Sequence, residues 1–195
     1  MNQLYRVVSI GIMLIIVMSG CGGTTGGTKP AGTATATKQN AVSVASGGPA
    51  VSVTKRIKYG KHSNVPDKVK AECNLDTQLP AYIKTFAAET DTAVNLKDGA
   101  VNKKAKGRVL NVEFSNVVGA GGGAWSGAKF VAVKGELFEN GKKIGSFNGR
   151  RTSGGGFFGA YKGTCKILDR CVKALGKDIA LWMIDPSMDA MIGEF

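Results

Sequence analysis

Asn140-Gly141 stands between two strand-like runs, residues 129–139 and 142–152. Both residues of a two-residue hairpin turn need positive φ, which Asn and Gly accept most readily. This pair is therefore the strongest short hairpin signal a sequence carries. The register it sets places Leu137 opposite Ile144. Val131, Val133, Leu137 and Ile144 then share one face, and Phe130, Ala132, Phe138 and Phe147 share the other. A ribbon apolar on both sides must be covered twice, or must leave its second face for a partner.

The flanking sequence supplies the cover. Residues 76–89 read as a helix with the apolar stripe Leu79, Ile83, Phe86 and Ala87. Asp76 or Thr77 is expected to cap it, with Pro80 in the tolerant first turn. Residues 161–184 read as a long helix, with Tyr161, Cys165, Leu168, Val172, Leu175, Ile179 and Trp182 at helical spacing. Asp185-Pro186 ends it, because proline cannot continue a helix and restricts the residue before it. Strands are expected over residues 51–59 and 93–96, and over 108–118 with Leu110, Val112, Phe114 and Val118 on one face. The pattern predicts an α+β domain over residues 51–185: a mostly antiparallel sheet with two helices packed on one face. Residues 186–195 are expected to form a C-terminal tail.

The N-terminus is organised differently. Met1 to Arg6 carries one basic residue, the apolar run Val7 to Met18 follows, and Ser19-Gly20-Cys21 comes next. Basic, apolar, small is the order of a secretory signal peptide, here residues 1–20. The run is about a dozen residues, and a membrane span needs about 20. Met18-Ser19-Gly20-Cys21 resembles the lipobox of bacterial lipoproteins. That resemblance implies cleavage before Cys21 and a lipid of three acyl chains on its cysteine. Each buried CH₂ contributes about 0.8 kcal/mol, so several chains anchor firmly where one does not. Gly22, in place of Asp, resembles the outer-membrane sorting pattern. In an organism with two membranes, the expected location is the outer membrane, facing the periplasm.

Residues 21–50 hold no acidic and no aromatic residue. Such a Gly/Thr/Ala stretch buries too little apolar surface to offset its ordering entropy, and it reads as a flexible linker. Its mean span is about 30 Å as a Gly-rich coil, and about 100 Å when extended.

Beyond Cys21 the cysteines are Cys73, Cys165 and Cys171. An exported chain meets an oxidising compartment, where disulfides persist. Six residues of helix separate Cys165 from Cys171 by about 9 Å of rise, beyond the roughly 7 Å that a disulfide's Cα atoms tolerate. A bridge therefore uses Cys73, with Cys165 preferred and Cys171 as the alternative. The one histidine, His62, lies among lysines, so a four-ligand zinc site is not expected.

The formal charge is +12. Basic residues gather at Lys55, Arg56, Lys58 and Lys61, at Lys103, Lys104, Lys106 and Arg108, and at Lys142, Lys143, Arg150 and Arg151. An exported chain has little access to nucleic acid, so no nucleic-acid partner is expected. The anions within reach are lipid headgroups, cell-wall carboxylates and acidic proteins. One sharper site is conceivable, an anion held by Arg150 and Arg151 at the Gly-rich entry to the last helix. The competing reading is a solvated basic surface with glycines that let the chain turn.

Catalytic and cofactor motifs are thin. Gly154-Gly155-Gly156-Phe157-Phe158-Gly159 fits G-x-G-x-x-G but follows an antiparallel hairpin, and no strand follows its helix. Gly119 to Ala124 opens a strand and not a helix. Ser52-Val53-Thr54-Lys55 matches S-x-x-K with none of its companion motifs. No cofactor, metal or enzymatic activity is expected.

Three stretches form a pattern: Val109 to Phe114 with Gly119 to Gly123; the Gly135 to Gly145 hairpin; and Gly163 to Ala180 with its two cysteines. Together, over about residues 70–184, they are similar to a bacterial outer-membrane and periplasmic lipoprotein family of unknown function, with a Gly-rich hairpin and a closing C-terminal helix. The resemblance implies no catalytic residues. It is more distant from accessory lipoproteins of envelope machines. The reading is a lipid-anchored domain that binds an envelope protein or cell-wall partner. The alternatives are a self-assembling, homo-oligomeric lipoprotein and a cell-wall-processing enzyme.

Overall fold

The computed structural model describes residues 50–119, 129–153 and 163–194. Its elements are β1 (Val51–Thr54), β2 (Lys58–Asn64), α1 (Asp67–Glu72), α2 (Leu75–Ala88), β3 (Val94–Lys97), β4 (Arg108–Val118), β5 (Lys129–Glu139), β6 (Lys142–Ser153), α3 (Thr164–Trp182) and β7 (Ala190–Gly193). One seven-stranded sheet has the order β3-β1-β4-β5-β6-β7, and β2 also pairs with β4. The long strands β4, β5 and β6 are antiparallel. The short flanking strands join them in parallel. This is the expected α+β class, with antiparallel pairing through the centre of the sheet.

The hairpin turn is as expected. Asn140 and Gly141 have φ of 50° and 84°. The register is not. Leu137 faces Gly145, and Phe138 faces Lys143, so Ile144 is an extra residue in the ladder. Such a bulge moves every later residue to the other face. Phe147 consequently lies on the helix side, opposite Gly135, and not with Phe130 and Phe138. A second irregularity sits at Ser115, between the pairs Phe114–Val133 and Asn116–Ala132. It turns Val117, and not the expected Val118, into the core.

The core lies between the sheet and the helices. Leu110, Val112, Phe114, Val131, Val133 and Leu137 meet Leu168, Val172, Leu175 and Ile179 of α3, with Leu79 and Ile83 of α2. Small residues let the layers approach. A Cβ at Gly145 would stand 2.7 Å from Trp182. The Trp182 indole therefore lies against the bare strand and meets Phe147 edge-on, with ring centroids 4.8 Å apart. A Cβ at Gly176 would stand 2.5 Å from the Tyr82 Cβ, so this glycine sets the close contact of α3 with α2.

Other expectations need correction. The strand expected over residues 51–59 is split into β1 and β2, both lying along one edge of β4. The break carries a specific contact. Pro80 has no N–H, so the Asp76 carbonyl one turn back is free of its helical donor. Ile57 N–H donates to that carbonyl at 2.9 Å. Helix α2 starts at Leu75 after Asn74 (φ 50°), with no side-chain cap. Asp76 and Thr77 are thus inside the first turn and are not caps. Helix α1 and strand β7 are additional, and β7 lies in the segment expected to be a tail.

Candidate functional site

Cys21, the signal segment and the linker up to residue 49 lie outside the described residues. So do Tyr161, Gly154 to Gly159, and Ala120 to Ala124. Cys73 and Cys165 are disulfide-bonded, joining the end of α1 to the first turn of α3. Cys171 is the free cysteine among the described residues, and it is buried. Burial pushes its thiol up to about 11, so it stays protonated and unreactive at neutral pH.

Arg150 and Arg151 do not converge on one anion. Neighbours in a strand point to opposite faces, and both residues belong to β6. Arg151 lies on the helix side. Its Nε and Nη2 donate to the two oxygens of Asp178, each at 2.7 Å, and its Nη1 donates to Glu194 at 3.1 Å. Arg150 lies on the outer side, stacked 4.3 Å above the Phe130 ring. The Arg150–Arg151 anion site is therefore replaced by an internal ion pair and a cation–π contact.

The outer sheet face is more polar than the sequence suggested, because the Ile144 bulge removes Phe147 from it. An open hollow of ≈ 350 Å³ there is lined by Asn111, Glu113, Lys134, Glu136, Ser146 and Asn148 among others. Glu136 accepts from Lys103 and pairs with Lys143, each at 2.6 Å. Hydrogen bonds from Lys103, then Lys143, hold its carboxyl below the usual carboxylate range. Lys103 also sits 5.2 Å above the Phe138 ring. Charged side chains thus shield both outer-face phenylalanines.

A second hollow, between the β1–β2 break and the start of α2, is lined by Arg56, Tyr59, Asp76 and Asp98. Arg56 pairs with the nearly buried Asp76 carboxylate. Lys55, of the S-x-x-K match, pairs with Asp98 at 2.8 Å. Among the described residues, no three His, Cys, Asp or Glu side chains are grouped to hold a metal. His62 is exposed on β2.

Sequence reasoning missed the C-terminal edge. Leu181, Ile184, Met188 and Met191 are about half exposed or more, at 49%, 57%, 54% and 60%. Asp185 and Asp189 lie among them. The available signal was the absence of any Lys or Arg after Lys177 in a strongly basic chain.

No family model matches the chain, and no curated protein does. Among solved structures, the chain is similar to the following two. One is a PelC dodecamer from Paraburkholderia phytofirmans, at 15% identity and TM-score 0.40, covering 66% of this chain and 86% of that one. The other is a minor lipoprotein from Acinetobacter baumannii, at 13% identity and TM-score 0.35, covering 69% of this chain and 91% of that one.

Proposed function

We propose that this chain is a lipid-anchored envelope protein whose α+β domain binds a macromolecular partner at the membrane surface and carries out no catalysis. Met18-Ser19-Gly20-Cys21, placed directly after a short apolar run, is the observation that carries this reading. Acylation of Cys21 ties the domain to a bilayer, and residues 22–50 act as its tether. No helix among the described residues is long and apolar enough to cross a membrane. The sorting residue Gly22 supports the outer membrane of a two-membrane organism, with the domain in the periplasm.

The side-chain chemistry supports a binding role. Asp76, Glu136 and Asp178 are all engaged by arginine or lysine, and the histidine stands exposed and apart. A general acid or base needs a titratable group placed at a cleft with its task still open. The test is in-cell crosslinking of the full chain, followed by mass spectrometry of the membrane fraction. A defined envelope partner supports the reading. Hydrolysis of purified cell wall by the chain would overturn it.

A further inference from the structure

Two edge strands of the sheet, β2 beside β4 and β7 beside β6, carry opposite charge. Strand β2 has Lys58 and Lys61 exposed, with Lys55 and Arg56 just before it and Lys68 and Lys70 just after. Asp67 is the single acidic residue in that stretch. Strand β7 lies at the other end of the sheet. Asp185 and Asp189 lead into it, Glu194 follows it, and no basic residue lies in the segment. The same edge exposes Met188 and Met191. Lys58 and Lys61 have no ion-pair partner among the described residues, and neither does Asp185.

We infer that copies of this chain associate edge to edge and head to tail, with the acidic, Met-bearing β7 edge of one docked on the basic β2 edge of the next. This names the partner for the binding domain proposed above and rests on that reading. Three observations support it. First, the edges complement each other in charge, and exposed strand edges are templates for pairing. Second, the edges point the same way. β2 is parallel to β4, β5 is antiparallel to both β4 and β6, and β7 is parallel to β6. Rotation about an axis along the strands would therefore continue the sheet with a parallel pair. Third, such a contact is heterologous, and repeated rotation closes it into a ring or extends it as a filament. A rotation axis along the strands also holds residue 50 of every copy in a ring at the same height, as attachment to a shared membrane requires. Anionic lipid suits the β7 edge poorly, because Asp185 and Asp189 would repel it.

The test uses the full chain in detergent, sized by sedimentation. One variant reverses the basic edge (Lys58→Glu with Lys61→Glu). The other converts the acidic edge (Asp185→Lys with Met191→Lys). All four side chains are exposed, and unchanged circular dichroism checks folding. The parent is expected to be an oligomer that dissociates at high salt, because exposed charge pairs are screened. Each variant alone is expected to be a monomer. Their equimolar mixture is expected to form a heterodimer, because the intact acidic edge of one variant meets the intact basic edge of the other. A monomeric parent would overturn the inference, as would oligomers that survive both changes. Neither result touches the acylation of Cys21, which is read separately by lipid labelling.

Discussion

The Sγ atoms of Cys73 and Cys165 are bonded across a sequence separation of 92 residues. The bridge ties the short helix α1 to the first turn of the closing helix. Chain entropy makes such a wide loop costly to close, and bridges of this kind contribute about 2–4 kcal/mol. Cys73→Ser should lower stability by that amount in urea denaturation. Cys73→Ser should then be indifferent to reductant, whereas Cys171→Ser, at a buried thiol outside the bridge, keeps the bridge and should be destabilised by reductant as the parent is.

Glycine inside a helix ordinarily yields to alanine with a gain of about 1 kcal/mol. Gly176 should do the reverse. Its added methyl would meet Tyr82 on α2, and overpacking of this kind costs about 1–3 kcal/mol. Gly176→Ala is therefore expected to lower the thermal midpoint, as read by calorimetry.

The hairpin makes an unusual prediction. Ile144 is the extra residue between Lys143, opposite Phe138, and Gly145, opposite Leu137. Deleting it leaves a regular ladder with Phe147 still on the helix side. The deletion should fold, at a cost of about 1–2 kcal/mol for one half-buried side chain. Inserting an alanine after Gly145 should turn Phe147 outward and cost at least the roughly 3–5 kcal/mol of a buried Phe truncation. Near-ultraviolet circular dichroism of the two variants distinguishes these outcomes.

That bulge also marks the limit of what the sequence shows. Strand β5 has the expected bounds and β6 runs one residue past its own, because the Asn140-Gly141 turn between two long runs leaves little choice; β4 has its expected bounds from its alternating apolar run. The apolar stripes of α2 and α3 were legible from their helical spacing, while helix rise excluded only a Cys165–Cys171 bridge and left Cys73 with Cys165 preferred and Cys171 open. A bulge adds one residue without altering composition, so nothing local told Phe147 which face to take. Helix α1 has six residues and buries only Val69, too little for a period to register. Strand β7 has four and gains its place from β6. The anion site at Arg150 and Arg151 failed for a simpler reason. Consecutive strand residues cannot share a face, and strand alternation alone would have ruled it out.

Glu136 gives a pH dependence with a definite sign. Lys103 and Lys143 hold its folded-state carboxyl below its ordinary value. The stability from this cluster is therefore present above the unfolded carboxylate range, about 4.3. It is lost as pH falls through the lower folded value. The lysines are about half exposed, so screening limits the contribution to about 1 kcal/mol or less. Glu136→Gln should be less stable than the parent at neutral pH, and the difference should vanish in strong acid. Urea midpoints across that range provide the check.

The most direct test of the account is metabolic labelling with palmitate in a bacterial host, followed by isolation of the mature chain. The account predicts label on the parent, and none on Cys21→Ser, which should keep its signal segment uncut. An unlabelled parent would contradict it, as would a Cys21→Ser chain that matures and partitions with membranes as the parent does.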